Sequence, residues 1–432
     1  MKVSFYTLGC KVNQNETGAL EQLFRQNGFE LAGADEAADI YIVNSCTVTA
    51  GGDKKSRQWL RRAKRENPDA VTVLSGCFPQ AFPQQATDVA EADIVCGARE
   101  RRHILDNVLR FLQDRQRIVE ILPHEKGEAF EELPMEHFEG HTRAFIKIED
   151  GCNRQCAYCV IPRARGFVRS RDETSILREL EALARAGYQE VVLSGINLPS
   201  YGRDTGTNLT ELLEKIDCID GPARIRLGSL EPDLLTDEDI ARMARVKCLC
   251  PQFHLSLQSG SDTTLRRMRR VYDTAQYRKV GEKLRAAMPG ATLTTDVIVG
   301  FPGETEEEFA QSVAFVREMA FLKVHVFSFS RRAGTPAYDM PGQLTETQKL
   351  DRSHRLQAAA AAVRRQVIDA RKGQKAEVLL ERPVAKDLFT GYTRAYIPVL
   401  VKAPGCTQGQ LVQVCLNGFD PLRDRCLAET VQ

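Results

Sequence analysis

Three cysteines, Cys152, Cys156 and Cys159, fall within eight positions of the stretch "EDGCNRQCAYCVIPRARG", with three and then two residues between them. Four thiolates would close a zinc or iron–sulfur site, and this set has one fewer. Three can hold three irons of a 4Fe–4S cube and leave the fourth iron open to a ligand that is not protein. The competing reading is a zinc site, or cysteines adjacent by chance, and only structural context separates the two. A second set is dispersed: Cys10 ends "KVSFYTLGC", Cys46 ends "ADIYIVNSC" and Cys77 ends "AVTVLSGC". Ligands of an open parallel sheet bind beyond the carboxyl ends of its strands, so three thiols at strand ends converge on one edge. Core cysteines would scatter instead, as Cys96, Cys218, Cys248, Cys250, Cys406, Cys415 and Cys426 do.

The elements that must position these thiols fall into three regimes, as expected for 432 residues. In 1–122, strand runs alternate with helical patterns, which implies a parallel-sheet α/β domain. Residues 123–142 are polar and unpatterned and read as a linker. In 143–372, strand candidates at 143–149, 190–196, 223–229, 252–258, 292–300 and 323–330 are separated by helical segments. Six βα units predict a partial (βα)6 TIM-like barrel with its chemistry at the strand carboxyl ends, and the cysteine cluster follows the first of them. Residues 373–432 change to strands separated by Gly and Pro turns, a small all-β barrel.

The 59 basic residues nearly balance 58 acidic ones, so overall charge argues neither for nor against nucleic acid. Thirteen cysteines without a secretion signal fit metal or redox use better than disulfides. No long apolar run suggests a membrane segment, and a cytoplasmic location is expected.

The segments "TLGCKVNQNET", "NSCTVT", "GDKKSRQ", "SGCFPQ", "GCNRQCAYCVIPRARG", "LQSGSD", "DVIVGFPGETEEEF" and "FSFSRRAGTPA" together resemble the radical S-adenosylmethionine (SAM) methylthiotransferases over essentially the whole chain. The resemblance implies a 4Fe–4S cluster on Cys152, Cys156 and Cys159 that binds SAM, and an auxiliary 4Fe–4S cluster on Cys10, Cys46 and Cys77. It implies that one SAM gives a methyl group and another a radical, that an electron-donor protein takes part, and that a methylthio group ends on C2 of a modified adenosine in tRNA. "GCKVN" with "ARGFVRSR" is similar to the branch acting on N6-threonylcarbamoyladenosine beside the anticodon. The alternatives are isopentenyladenosine, whose enzymes usually carry glutamine and methionine where Lys11 and Val12 stand, or an aspartate of a ribosomal protein. The final module resembles the RNA-binding TRAM domain. One departure is "GINLPSYG", where relatives often have a Thr-Gly pair; it bears on contacts around Leu198, Pro199 and Ser200.

Polar strand ends Asn197, Glu231 and Gln258, and Gly300 with its room for close backbone approach, are candidate cofactor contacts. For RNA, the candidates are Arg163, Arg165, Arg169 and Arg171, at the expected barrel mouth. Charges on the helix of 53–66 recur all around it, which weakens its claim as an RNA face. Nine basic against six acidic residues from Arg371 onward weakly favour RNA.

Overall fold

Apolar runs that must be covered on both faces build the first sheet. The computed structural model describes residues 1–33, 36–133 and 142–431. Six parallel strands, β1 (Lys2–Thr7), β2 (Glu30–Leu31), β3 (Ile40–Ser45), β4 (Val71–Gly76), β5 (Ile94–Cys96) and β6 (Ile118–Glu120), lie in the order β2-β1-β3-β4-β5-β6. Helix α1 (Lys11–Gln26) packs Leu20 and Phe24 on Ile40, Ile42 and Val73 of one face. Helix α2 (Ala50–Glu66) packs Leu60 among Val43 and Leu74 of the other. The strand period of two is thus split between two helical layers. Asp53, Ser56, Leu60 and Ala63 form a buried side of α2, so its charges do not run all round, contrary to the expectation from sequence.

All six expected barrel strands form: β7 (Arg143–Lys147), β8 (Glu190–Ser194), β9 (Arg224–Leu227), β10 (Gln252–Leu255), β11 (Thr292–Val299) and β12 (Lys323–Ser328). They pair in parallel in sequence order, with Ser229–Leu230 carrying the line of β9 on to β10. Strands β7 and β12 do not pair, so the barrel is open on that side. The first sheet's own helix serves this edge: Asn15 on α1 donates from Nδ2 to the carbonyl of Phe145 on β7 at 2.6 Å. An unpaired strand edge is costly and prone to wrong partners, and here it is answered within the chain.

The long helix α3 (Glu346–Asp369) leads into a closed five-stranded barrel, β13 (Lys375–Ala385), β14 (Leu388–Thr393), β15 (Pro398–Lys402), β16 (Leu411–Asp420) and β17 (Arg425–Thr430), in the order β13-β14-β15-β17-β16. Its turn at 394–397 closes the amino ends of the larger barrel's strands. Thr292 Oγ1 donates to Ala395 O at 2.6 Å, and Arg226 Nη1 to Arg394 O at 3.1 Å. The stacked Tyr392 and Tyr396 rings, 4.5 Å apart, carry the Arg143 guanidinium over their faces.

The described part of the expected linker, residues 123–133, holds no helix or strand. Residues 123–133 form a pinned strap: Glu131 Oε2 lies 2.8 Å from Arg101 Nη1, Glu128 Oε1 lies 2.5 Å from Arg169 Nη1, and Glu132 accepts from Ser175 Oγ at 2.6 Å. The rest of it, 134–141, lies outside the described residues.

Candidate active site

Register brings the dispersed cysteines together. Thr7 of β1 stands beside Asn44 of β3, and Asn44 beside Ser75 of β4, so the chain leaves all three strands at one level and reaches Cys10, Cys46 and Cys77 within a few residues. Asn13, in the first turn of α1, ties the loops: its Nδ2 donates to Leu8 O at 2.8 Å and Ser45 O at 3.0 Å. Its Oδ1 faces the Cys10 sulfur at 3.7 Å and the Cys77 sulfur at 4.0 Å. The same oxygen accepts from Arg165 Nη2 at 2.5 Å, while Arg165 Nε donates to Cys77 Sγ at 3.2 Å. A guanidinium from the cysteine loop of the larger barrel is therefore in contact with a thiol of the first sheet. Burial first, then the neighbouring Cys77 and Cys10, push the Cys46 thiol up to about 12. Cys77 is buried, Cys46 half-buried and Cys10 exposed, and thiols gathered this way stay thiolates together only with a cation among them, which is what a metal cluster provides.

The loop after β7 is shaped by Gly151 at φ +85°, where an added Cβ would come within 1.9 Å of Phe167 O. No side chain fits that approach. Gly151→Ala is expected to destabilise the protein by more than about 2 kcal/mol, since a left-handed alanine alone costs roughly 1–2 kcal/mol. The check is urea unfolding together with iron content, and unfolding equal to wild type would contradict this close packing of Gly151 on Phe167. Within the loop, burial raises Cys152 to about 11 and Cys159 to about 12. Arg270 Nη1 donates to Cys156 Sγ at 3.1 Å and its Nη2 pairs with Glu231, so Glu231 stands one guanidinium away from the cysteines. Asn197, at the end of β8, is buried with Oδ1 lacking a hydrogen-bond partner among the described residues. Its backbone N–H donates to Glu149 Oε2 at 2.8 Å, and burial raises Glu149 to about 8, which keeps it protonated at neutral pH.

Between the two cysteine sets lies a cavity of about 200 Å³ lined by Val48 and Thr49 after Cys46, by Tyr158 and Cys159, and by Gln258, Asp296, Ile298 and Phe327 of the barrel. The walls are fixed to each other. Arg332 Nη2 reaches Asp53 Oδ2 at 2.6 Å, and Ala50 N donates to Ser330 Oγ at 3.0 Å. Both bonds join the first turn of α2, shortly after Cys46, to the segment after β12. Phe327 and Val48 keep 42% and 52% of their surface exposed, so the mouth is apolar and open. A larger cavity of about 520 Å³ lies on the other side of the cysteine loop, between Cys152, Arg154 and Phe167 and the segments around Gln80 and Pro123.

Comparison with known proteins agrees with this arrangement. Residues 146–316 match the radical SAM superfamily, and residues 2–97 match the Uncharacterized protein family UPF0004. The chain is 40% identical over 418 residues, 95% of this chain and 93% of the relative, to the threonylcarbamoyladenosine tRNA methylthiotransferase of Bacillus subtilis. It belongs to the radical SAM methylthiotransferases. The Thermotoga maritima enzyme of the same description is 38% identical, covering 91% of this chain and 90% of that one. A tRNA-2-methylthio-N(6)-dimethylallyladenosine synthase of Pelotomaculum thermopropionicum is 32% identical, covering 96% and 95%. Among solved structures, the radical SAM methyltransferase TsrM of Kitasatospora setae, bound to tryptophan and a SAM analogue, has a TM-score of 0.57 at 14% identity. It covers 99% of this chain and 85% of that one, and shows the fold.

The methylthiotransferase is thus a radical SAM enzyme whose cofactors are 4Fe–4S clusters and SAM, and its two sulfur donor sets fit those groups. Several expectations from sequence need correction. Gly300 at φ +71° gives its N–H to Glu304 Oε2 at 2.7 Å, and an added Cβ would meet Lys349 at 2.5 Å. It serves a tight packing of the strand end on α3. Arg165, Arg169 and Arg171 are buried and paired, with Glu16, with Glu128 and with Glu179 respectively, so they are not a phosphate-facing row. Arg163 alone of the four is exposed, and it bridges Ala81 O and Ala333 O. Leu198, Pro199 and Ser200 form a buried 3-10 turn that lines neither of these two cavities. Sequence reasoning missed Asn13 and the contact of Arg270 with Cys156. For Asn13 there was a signal, an amide in the first turn of a helix that begins at a cysteine.

Proposed function

We propose that the enzyme adds a methylthio group to C2 of N6-threonylcarbamoyladenosine next to the anticodon of tRNA. The observation that supports this is the cavity lined by Cys159 of one cysteine set and by Val48 and Thr49, which follow Cys46 of the other. The relatives named for this substrate, at 34–40% identity, support the choice of nucleoside. In this reading Cys152, Cys156 and Cys159 hold the SAM cluster, and Cys10, Cys46 and Cys77 hold the auxiliary one. When bound, these groups supply the methyl, the sulfur and a 5′-deoxyadenosyl radical.

The chain's own residues provide the setting. Arg270 and Arg165 place positive charge against one sulfur of each set, which tunes an iron–sulfur site through hydrogen bonds to sulfur. The partnerless Oδ1 of Asn197 and the Gln258 side chain offer polar contacts to SAM, and Glu231 steers from behind Arg270. Phe327 presents a half-open aromatic face on which a base can stack. The C-terminal barrel acts as a TRAM-like RNA-binding module and exposed Arg163 as a phosphate contact. The reaction draws on an electron-donor protein and takes place in the cytoplasm. No helix among the described residues is long and apolar enough to cross a membrane.

Anaerobic reconstitution should give about eight irons per chain from two four-iron cubes. Cys77→Ala should give about four and abolish methylthio product. Mass spectrometry of tRNA nucleosides from cells lacking the protein should show the 2-methylthio mark missing from threonylcarbamoyladenosine. Its absence from isopentenyladenosine instead, or a lost mark on a ribosomal protein, would reassign the substrate.

A further inference from the structure

Below the cavity, the interior of the large barrel continues downward as a polar shaft. In the parallel register Ile298 pairs with Phe327 and Asp296 with His325, and Thr294 stands beside both Lys323 and His254. Alternate residues of a strand share a face, so His325 and Asp296 lie one layer below Phe327 and Ile298. His254 Nδ1 is 3.0 Å from Thr294 Oγ1, and its Nε2 is 3.4 Å from Asp296 Oδ2. Asp296 is thus already faced by one imidazole.

The floor is a charge-paired arginine cluster. Arg226 pairs with Glu190 at 2.8 Å, Arg224 with Glu377 at 2.8 Å and Arg143 with Glu381 at 2.7 Å, and Arg224 and Arg143 also approach Glu190 at 3.5 and 3.8 Å. Into this interior comes Lys11, the residue after Cys10. It stands four residues before Asn15 on α1, on the helix face that meets β7 through the Asn15–Phe145 bond, and Tyr396, Arg143, Arg226 and Glu190 of the floor and His325 lie in its field. Lys11 retains accessible surface although protein surrounds it, as a side chain standing in an internal solvent-filled space would. No hydrogen bond or ion pair of its ammonium group with a carboxylate occurs among the described residues, whereas the lysine on β7, Lys147, has both Glu16 and Asp150 at 3.1 Å. A cation without a counter-charge inside a barrel is a site for an anion supplied from outside.

We propose that Lys11 and His325 form a subsite that receives a carboxylate carried by the substrate nucleoside's N6 substituent, with the arginine-rich floor behind them. The proposal rests on threonylcarbamoyladenosine being the substrate, because that substituent ends in a carboxylate whereas an isopentenyl group is apolar. With the base held at the mouth beside Phe327, the substituent points down the shaft and its carboxylate meets the ammonium of Lys11 and an imidazole N–H of His325. A divalent cation on His254, Asp296 and His325, whose ligand atoms lie within 4.8 Å of one another, is a poorer occupant. Lys11 and Lys323 both raise the local positive potential at His325.

The test uses the reconstituted full-length enzyme and two anticodon stem-loop RNAs. One carries threonylcarbamoyladenosine, and the other carries the same nucleoside with its carboxylate as the methyl ester. For wild type, the ester should lower kcat/KM by about 100-fold, the range seen when one member of a buried charge pair is removed. Lys11→Met should lose about 100-fold on the acid RNA and discriminate acid from ester by less than about 3-fold, and Lys11→Arg should restore most of the preference. RNA affinity measured by fluorescence anisotropy should follow the same pattern, with iron content checked in every sample. Equal turnover of acid and ester by wild type would overturn the subsite even if Lys11→Met fails to fold, and so would a Lys11→Met enzyme that keeps the preference. Turnover of neither RNA by an enzyme holding both clusters would instead remove the substrate assignment, and the subsite with it.

Discussion

Replacing Arg165 by methionine should cost the folded protein about 3–5 kcal/mol and empty the auxiliary site. Arg165 is fully buried and bonds Glu16, Asn13, Asp150 and the Cys77 sulfur together, so it is shared by the two halves of the active site. Without it two buried carboxylates lose a partner and Cys77 loses its donor. The pH dependence carries a sign that can be checked. Burial pushes the Glu16 carboxyl up, but Arg101, Arg165 and Lys147 outweigh burial and hold it at about 2, below its ordinary 4.5. A depressed acid stabilises the fold above the unfolded-state value, and that contribution is lost as pH falls from about 4.5 toward 2. The gap between wild type and Arg165→Met should therefore be widest above pH ~5 and narrow on acidification. Urea unfolding followed through the chain's one tryptophan, Trp59, reads it, because that ring packs 4.1 Å from Tyr6 in the first sheet. A variant that unfolds with wild type at neutral pH would show the cluster of charges to be idle.

The second large effect is expected at the other end of the barrel. Glu190 is buried, which raises its carboxyl, yet Arg226 first, then Arg143 and Arg224, hold it at about 2. Glu190→Gln removes the carboxylate that pairs with buried Arg226 and that Arg143 and Arg224 also approach, and the destabilisation should again be about 3–5 kcal/mol. Because Arg226 also donates to Arg394 O and lies 4.6 Å over Tyr396, the loss should loosen the docking of the C-terminal barrel. Limited proteolysis should then release a fragment beginning near residue 373, while wild type resists under the same conditions. Equal resistance of the two proteins would mean that docking rests on the tyrosine stack and the Thr292 bond alone.

Much of this arrangement is legible in the residues. Six barrel strands, four strands of the first sheet and both cysteine sets can be read, because apolar runs and cysteines at run ends are local patterns. The short edge strands Glu30–Leu31 and Ile118–Glu120 cannot, since two or three residues set no period. In the C-terminal barrel, "LFTGYT" and "RCLAET" are broken by glycine or charge, and only closure with neighbours makes them strands. The arginine row after Cys159 shows why spacing alone misleads about charge. Its partners Glu16 and Glu128 come from the first sheet's helix and from the strap, so a stretch that reads as solvent-facing is an internal junction. Lys11 poses the opposite problem. It is an ordinary surface residue by type, and only the packing of α1 against the barrel's open side turns it inward.

The ties between Arg332 and the loop around Thr47 and Asp53 span 285 and 279 positions of the chain. During synthesis the first sheet, with Cys10, Cys46 and Cys77, emerges and can fold well before residue 332 leaves the ribosome. For that interval the nascent protein presents a thiol set that lacks both the Arg332 clasp and the Arg165 donor. Premature metal capture or oxidation at those cysteines is a hazard of making this protein, and it ends when the second half of the chain closes over the first.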